Sequence, residues 1–291
     1  MPMRYLIVAF IFILMSCSVD DAYVTEIEEW RKERIQNLTA PIGWASLAGL
    51  HWMEQDTTTI GGTGSGIVFS EDLIGTLGKV IKQDEGYSFK SSIKGILSDE
   101  QSVDLIKIQT DADSIPTRFR YSNWEWTFIE RGGKTGLRVW DTAHVNRTHY
   151  LELDYFPIDK KYRIEAEFQP FDPPRESSLK NVLGMTIPQK IPGELKFRLE
   201  GEELSLLPLD GGPDQFFIIF ADETTAGETY GGGRYLYIPK PEKGSTNCII
   251  DFNKSYTPPC GFTEHATCLL PSKENTLPVE IRAGEMYLFD H

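Results

Sequence analysis

The chain has 291 residues, 40% of them apolar and 25% charged, with 25 Gly and 17 Pro. That length suffices for one large or two ordinary domains with a real core, and the composition excludes a disordered polymer, a coiled coil and a polytopic membrane protein. The net charge of -14 leaves no basic surplus to displace counterions from a phosphate backbone, so nucleic acid is excluded as a partner.

The chain opens with Arg4 as its one early positive charge, followed by an apolar run of 11 residues from Tyr5 to Met15. A helix needs about 20 such residues to span a bilayer, so this run has the length of a signal-peptide core instead. It closes on Leu14-Met15-Ser16-Cys17, which resembles the lipobox of bacterial lipoproteins. The resemblance implies removal of residues 1–16, diacylglyceride on the Cys17 sulfur and a further acyl chain, such as palmitate, on its new amine. Several chains anchor stably where one binds only marginally. Residues 17–22 are then a lipidated tether, and Asp20 and Asp21 resemble the surface-export signal of some Bacteroidetes lipoproteins. The expected location is the outer membrane, facing the periplasm or the cell surface.

Residues 23–38, YVTEIEEWRKERIQNL, predict an amphipathic helix: Tyr23, Ile27 and Ile35 recur at multiples of four, with Trp30 and Leu38 beside them. Asp20 or Asp21 can cap its start, Glu28 and Lys32 form an i,i+4 pair, and Pro41 and Gly43 end it. The apolar segment around Trp44, Leu47, Leu50 and Trp52 reads as a connector, so 23–55 forms one unit.

Beyond residue 57 the period changes to two. Trp124, Trp126 and Phe128 alternate with Glu125 and Thr127; Tyr162, Ile164, Ala166 and Phe168 alternate with Arg163, Glu165 and Glu167; Leu195, Phe197 and Leu199 alternate with Lys196 and Arg198. Such alternation marks half-buried antiparallel strands. The fold class is therefore mainly β, with antiparallel sandwich-like or barrel-like modules at 56–145 and 146–291 and one N-terminal amphipathic helix. A polar stretch near 141–150 marks the boundary between them.

Two resemblances follow. Thr59-Ile60-Gly61, Ile74-Gly75 and Gly136-Leu137-Arg138 give the first module a cadence that resembles the forkhead-associated sandwich. That module's phosphothreonine-reading Arg, Ser and His pattern does not accompany it, so phosphopeptide binding is not implied. The blocks WRKERIQNL (30–38), GWASLAGLHWM (43–53), RGGKTGLRVWD (131–141), YFPIDKKYRIEAEFQPFDPP (155–174), NVLGM (181–185), FADETTAGETYGGGRYLYI (220–238) and DFNKSYTPPCGFTEHATCLLPSKENTLPVEIRAGE (251–285) together resemble the bacterial family DUF1684. The resemblance implies little about activity. It does imply that the glycine block and the DFN-to-LP block matter, and it commonly places an aromatic residue where His265 stands, against a shared metal site.

Cys260 and Cys268 flank the turn-rich GFTEHAT and read as a disulfide in an oxidising compartment. The alternatives are separate thiols, or a zinc site adding Cys248 and His265, whose C-x4-H-x2-C segment lacks the usual close Cys pair. No metal and no cofactor is expected. In GETYGGGRYL three glycines free the backbone, while Tyr230 offers a stacking face and Arg234 a fork for carboxylate or phosphate. Asp251 and Asn253 end an apolar strand nearby. These four residues are the candidate ligand site, for a small ligand or a peptide. The opposing reading makes the glycines a tight turn and pairs Arg234 with Asp222 or Asp251. The histidines, at 51, 144, 149, 265 and 291, have no metalloprotease spacing, and no G-x-S-x-G elbow occurs. Aromatic clusters such as Tyr155-Phe156 or Trp124 with Trp126 suit either sugar stacking or a sandwich core.

The expected function is a non-catalytic ligand-binding or assembly role for an envelope lipoprotein whose partner is the membrane through its anchor. One alternative is an envelope hydrolase of glycans or esters using Asp251 with Asp222 or Glu228, since glycosidases need two facing carboxyls. The other is a purely structural lipoprotein.

Overall fold

The computed structural model describes residues 6–288, with residues 6–20 as helix backbone only. Cleavage before Cys17 and acylation of its sulfur therefore concern termini and side chains outside the described residues.

The first helix, α1 (Leu6–Leu38), runs further toward the N-terminus than the amphipathic pattern predicts. Asp20 and Asp21 consequently lie inside it instead of capping it. Its C-terminal half keeps the expected buried face, with Ile27 and Leu38 fully buried and Tyr23 nearly so. Among the described residues no helix is long and apolar enough to cross a membrane.

The first β region comprises β1 (Leu47–Trp52), β2 (Thr57–Gly61), β3 (Ile67–Val68), β4 (Thr76–Lys82), β5 (Tyr87–Ser91) and β6 (Leu97–Ser98). It continues with β7 (Gln101–Ser102), β8 (Leu105–Lys107), β9 (Arg118–Tyr121), β10 (Trp124–Arg131) and β11 (Lys134–Asp141). They form a sheet ordered β1-β11-β10-β9-β6-β7 and another ordered β3-β2-β4-β5-β8. Only β2 and β3 pair in parallel among these strands. The two sheets enclose one core, with Ile60, Val80 and Phe89 from the second facing Phe119, Trp126, Phe128 and Val139 from the first. Phe119 stacks on Trp126 at 5.5 Å and 9°. Trp124 and Trp126 are therefore core residues, not a surface platform. The segment read as a connector supplies β1: it pairs with β11 from Leu47↔Trp140 to Trp52↔Gly136, because β11 has a free edge that it completes.

A short helix, α2 (Asn146–His149), leads to β12 (Arg163–Lys180), β13 (Thr186–Leu199), β14 (Glu202–Leu206) and β15 (Leu209–Asp210). The last strands are β16 (Gln215–Phe220), β17 (Arg234–Pro239) and β18 (Asn247–Asp251). They form an antiparallel sheet β14-β13-β12-β18 and a smaller one, β15-β16-β17. The predicted alternation holds: Ile164, Ala166, Leu195, Phe197 and Leu199 are buried, while Arg163, Glu165, Glu167, Lys196 and Arg198 face water. Those buried side chains share a core with Ile218, Phe220, Leu236 and Ile238 from the smaller sheet, Ile250 from β18 and Phe252 just after it. The far side of the smaller sheet carries a second cluster containing Ile219, Tyr235, Ala266 and Cys268, with Trp44, Phe217 and Tyr256 against it. That side faces α1.

Candidate functional site: an aromatic cleft between the first helix and the smaller sheet

The glycine block makes a turn. Gly233 N–H donates to Tyr230 O, and Gly233 sits at φ +81. A Cβ there would stand 2.6 Å from the Phe220 carbonyl oxygen, so the left-handed backbone and the close approach both require glycine. The turn delivers Arg234 inward, where it is 1% exposed. Its guanidinium pairs with the fully buried Asp222, and donates to Ile281 O at 2.8 Å and to the Ser255 hydroxyl at 3.2 Å. Asp222 also accepts from Thr224 N–H at 2.7 Å. Of the two readings of Arg234, the structural pairing with Asp222 is the one observed. The fork is spent tying β17 to the C-terminal segment.

Asp251 and Asn253 are likewise turned inward. Tyr23 O–H donates to the Asp251 carboxylate at 2.9 Å, and Asn253 Nδ2 donates to Tyr23 Oη at 3.0 Å and to Asp159 O at 2.9 Å. Burial and the neighbouring Asp251 charge push the Tyr23 phenol well above its ordinary value. These two residues hold the helix on the domain. Tyr230 is separate from them: its hydroxyl donates to Cys260 O at 3.2 Å and its ring meets Tyr287 edge-on at 4.9 Å. The four predicted ligand residues thus do not line one open space. Nor do the carboxylates of the hydrolase alternative, since Asp222 is buried and Glu228 is paired with Arg282 at 2.9 Å.

An open cleft of about 460 Å³ lies elsewhere, between α1 and the smaller sheet. Trp30 comes from the helix, Trp44 from the segment after it, Phe217 from β16, Tyr235 and Tyr237 from β17, and Tyr256 from the loop after β18. Strand register builds the floor: Phe217 pairs directly with Tyr237, and their rings stack at 4.7 Å and 23°. Tyr235 meets Phe217 edge-on at 4.8 Å, and its hydroxyl donates to Leu269 O at 2.8 Å, which locks the ring. Arg34 covers the Tyr256 ring at 4.7 Å, and the exposed Glu33 and Asn37 stand on the helix side. Burial, with Tyr237 close by, raises the Tyr256 phenol far above its usual range, so both hydroxyls stay protonated as donors. The aromatic faces and the polar rim suit a ring-bearing, largely neutral molecule. Sequence reasoning missed this site because its aromatics come from five separate segments. The one local signal is the Tyr235–Tyr237 alternation opposite Phe217.

A second cleft, of about 450 Å³, is bounded by Leu47, Ala48, His144, Tyr150 and the loop from Cys260 to His265. Thr263 Oγ1 donates to Leu47 O at 3.2 Å, joining this loop to β1. Burial lowers the His265 imidazole, opposed by Glu264, and lowers His51, where the His265 charge adds to the effect. Cys260 and Cys268 lie side by side here as thiols, with the Cys260 N–H 3.1 Å from Cys268 Sγ. Cys248 lies apart, in the main core. Among the described residues no three His, Cys, Asp or Glu side chains gather closely enough to hold a metal ion.

This is the architecture of a β-rich protein with a helix-walled surface cleft. Residues 148–286, just under half of the chain, match the family described as "Protein of unknown function (DUF1684)". The match does not extend to the blocks at 30–38, 43–53 and 131–141 that carry part of the resemblance. Among solved structures, the chain is similar to the solution NMR structure of an uncharacterized protein from Haloarcula marismortui. The two are 30% identical over 48% of this chain and 78% of that one, with a TM-score of 0.41. No curated protein matches the chain.

Proposed function

We propose that this protein is an envelope lipoprotein, anchored through Cys17, that binds a ring-bearing envelope ligand without transforming it. The observation that carries the reading is the aromatic cleft: the stacked Phe217 and Tyr237, with Trp30 and Trp44 half-buried around them, leave ring faces open to solvent. Sugar rings present C–H faces that pack on such platforms and hydroxyls that meet the Glu33 and Asn37 rim, so glycan fragments are the ligand class. The helix that forms one wall also carries Cys17, and the helical rise from there to Trp30 would hold the cleft within about 20 Å of the membrane surface. The carboxylates of the hydrolase alternative are already engaged, Asp222 by Arg234, Glu228 by Arg282 and Asp251 by Tyr23, which favours binding over glycoside hydrolysis.

Titration of the full chain with a panel of peptidoglycan and polysaccharide fragments, followed by tryptophan fluorescence and calorimetry, tests this. The expected result is saturable binding that Tyr237→Ala and Trp30→Ala each weaken about tenfold or more without changing the melting temperature. Release of a shortened glycan would establish the hydrolase instead, and a panel without any binder would leave the structural lipoprotein. Mass spectrometry of the protein from native membranes tests the anchor, with an acylated Cys17 terminus expected.

A further inference from the structure

The two thiols of the second cleft are not equivalent. Cys260 sits in the short turn Pro259–Gly261 and lines the cleft, half-buried. Cys268 is 7% exposed and packs within the cluster behind it, beside Tyr235 and Ala266. The Cys260 N–H points at Cys268 Sγ over 3.1 Å, which sets the two residues side by side. The Tyr230 hydroxyl donates to the Cys260 carbonyl at 3.2 Å, so the phenol lies beside this residue.

We propose that Cys260 and Cys268 form a thiol–disulfide exchange site, with Cys260 as the attacking thiol and Cys268 as the resolving one, open to small disulfides through the cleft beside Leu47 and His144. The inference stands apart from glycan binding, which uses the other cleft. The Cys260 thiolate attacks one sulfur of a disulfide RSSR, forming Cys260–S–S–R and expelling RS⁻, which takes up the proton that left Cys260. The Cys268 thiol then loses its proton, displaces the second RS⁻ and closes the Cys260–Cys268 bond. The protein gives up two electrons and two protons, and RSSR becomes two RSH. The neighbouring Cys268, with Tyr230 close by, holds the Cys260 thiol below its ordinary value, as an attacking thiol requires. Cys268 is raised by its bond to Cys260 and by burial, which keeps it protonated until the mixed disulfide forms.

The test is oxidation of the reduced full chain with oxidised glutathione at graded ratios to glutathione, alkylation of the remaining thiols, and peptide mass spectrometry. The expected product links Cys260 to Cys268 and leaves Cys248 alkylatable. Cys268→Ser is expected to trap glutathione on Cys260, while Cys260→Ser is expected to react at Cys268 at least about tenfold more slowly. Alkylation rates on the unsubstituted protein give the same ranking without relying on either variant's folding. The proposal is overturned if both thiols stay reduced in the native chain while the urea-unfolded chain is oxidised, or if Cys268 reacts first.

Discussion

Arg34, late in the first helix, and Glu285, near the far end of the chain, form an ion pair with Nε 2.8 Å from Oε1 and Glu285 only 1% exposed. The second carboxylate oxygen accepts from Thr257 N–H at 2.8 Å, and Arg34 Nη2 donates to Thr257 O at 2.9 Å. One guanidinium thus links the helix, the loop after β18 and the C-terminal segment. It also places the Tyr256 ring in the aromatic cleft, since Arg34 lies over its face.

Removing either partner leaves the other charge buried. Glu285→Ala is expected to cost about 3–5 kcal/mol by urea denaturation. It should also weaken any ligand held in the aromatic cleft, because the helix wall of the cleft loosens. A loss under about 1 kcal/mol would mean that the helix is held without this pair.

Asp222→Asn removes the countercharge of a guanidinium that has no access to water. A loss of about 3–5 kcal/mol is expected. Since Arg234 lies outside the cleft, ligand affinity measured well below the melting temperature should stay within about twofold. A selective loss of affinity in a stable variant would return Arg234 to the ligand site.

The first and last glycines of the turn should differ. Gly233→Ala forces a side chain into the left-handed region and against Phe220 O, with an expected cost of about 2 kcal/mol or more. Gly231→Ala meets nothing nearer than 3.6 Å and should change stability by less than about 0.5 kcal/mol. Denaturation midpoints of the two variants side by side decide it.

Stability should fall as the pH falls through the histidine range. Burial holds His51 and His265 below the ordinary imidazole value. The unfolded chain protonates these groups near pH 6.5, the folded one only at lower pH, so unfolding takes up protons in between. Their contribution is therefore complete above about pH 6.5 and is lost as the pH drops through the folded values. The double variant His51→Gln with His265→Gln should show a flatter profile of urea midpoint between pH 7.5 and 5. An unchanged slope would assign it to other groups.

Period-two runs at 162–168 and 195–199 sufficed to read their strands and their buried faces, because pleat geometry puts alternate side chains on opposite sides whatever the partner. The helix from Tyr23 to Leu38 was legible for the same kind of reason. Its continuation back to Leu6 was not, nor was the pairing that makes Leu47–Trp52 an edge strand instead of a connector. Both depend on neighbours that local pattern does not name.

The candidate site divides in the same way. Residue chemistry alone singled out Arg234, Asp251, Asn253, Tyr230 and the Cys260–Cys268 pair as polar or reactive groups in unusual company. Whether a fork faces solvent or a buried carboxylate is decided by what packs over it, and here Asp222, Tyr23 and the C-terminal segment do so. The surface aromatics were left to the tertiary structure altogether: Trp30, Trp44, Phe217, Tyr237 and Tyr256 face one cleft only because the helix docks across the smaller sheet. Short-range periodicity specifies which side of an element is apolar; the long-range docking of one element on another decides which apolar faces are covered and which remain open for a ligand.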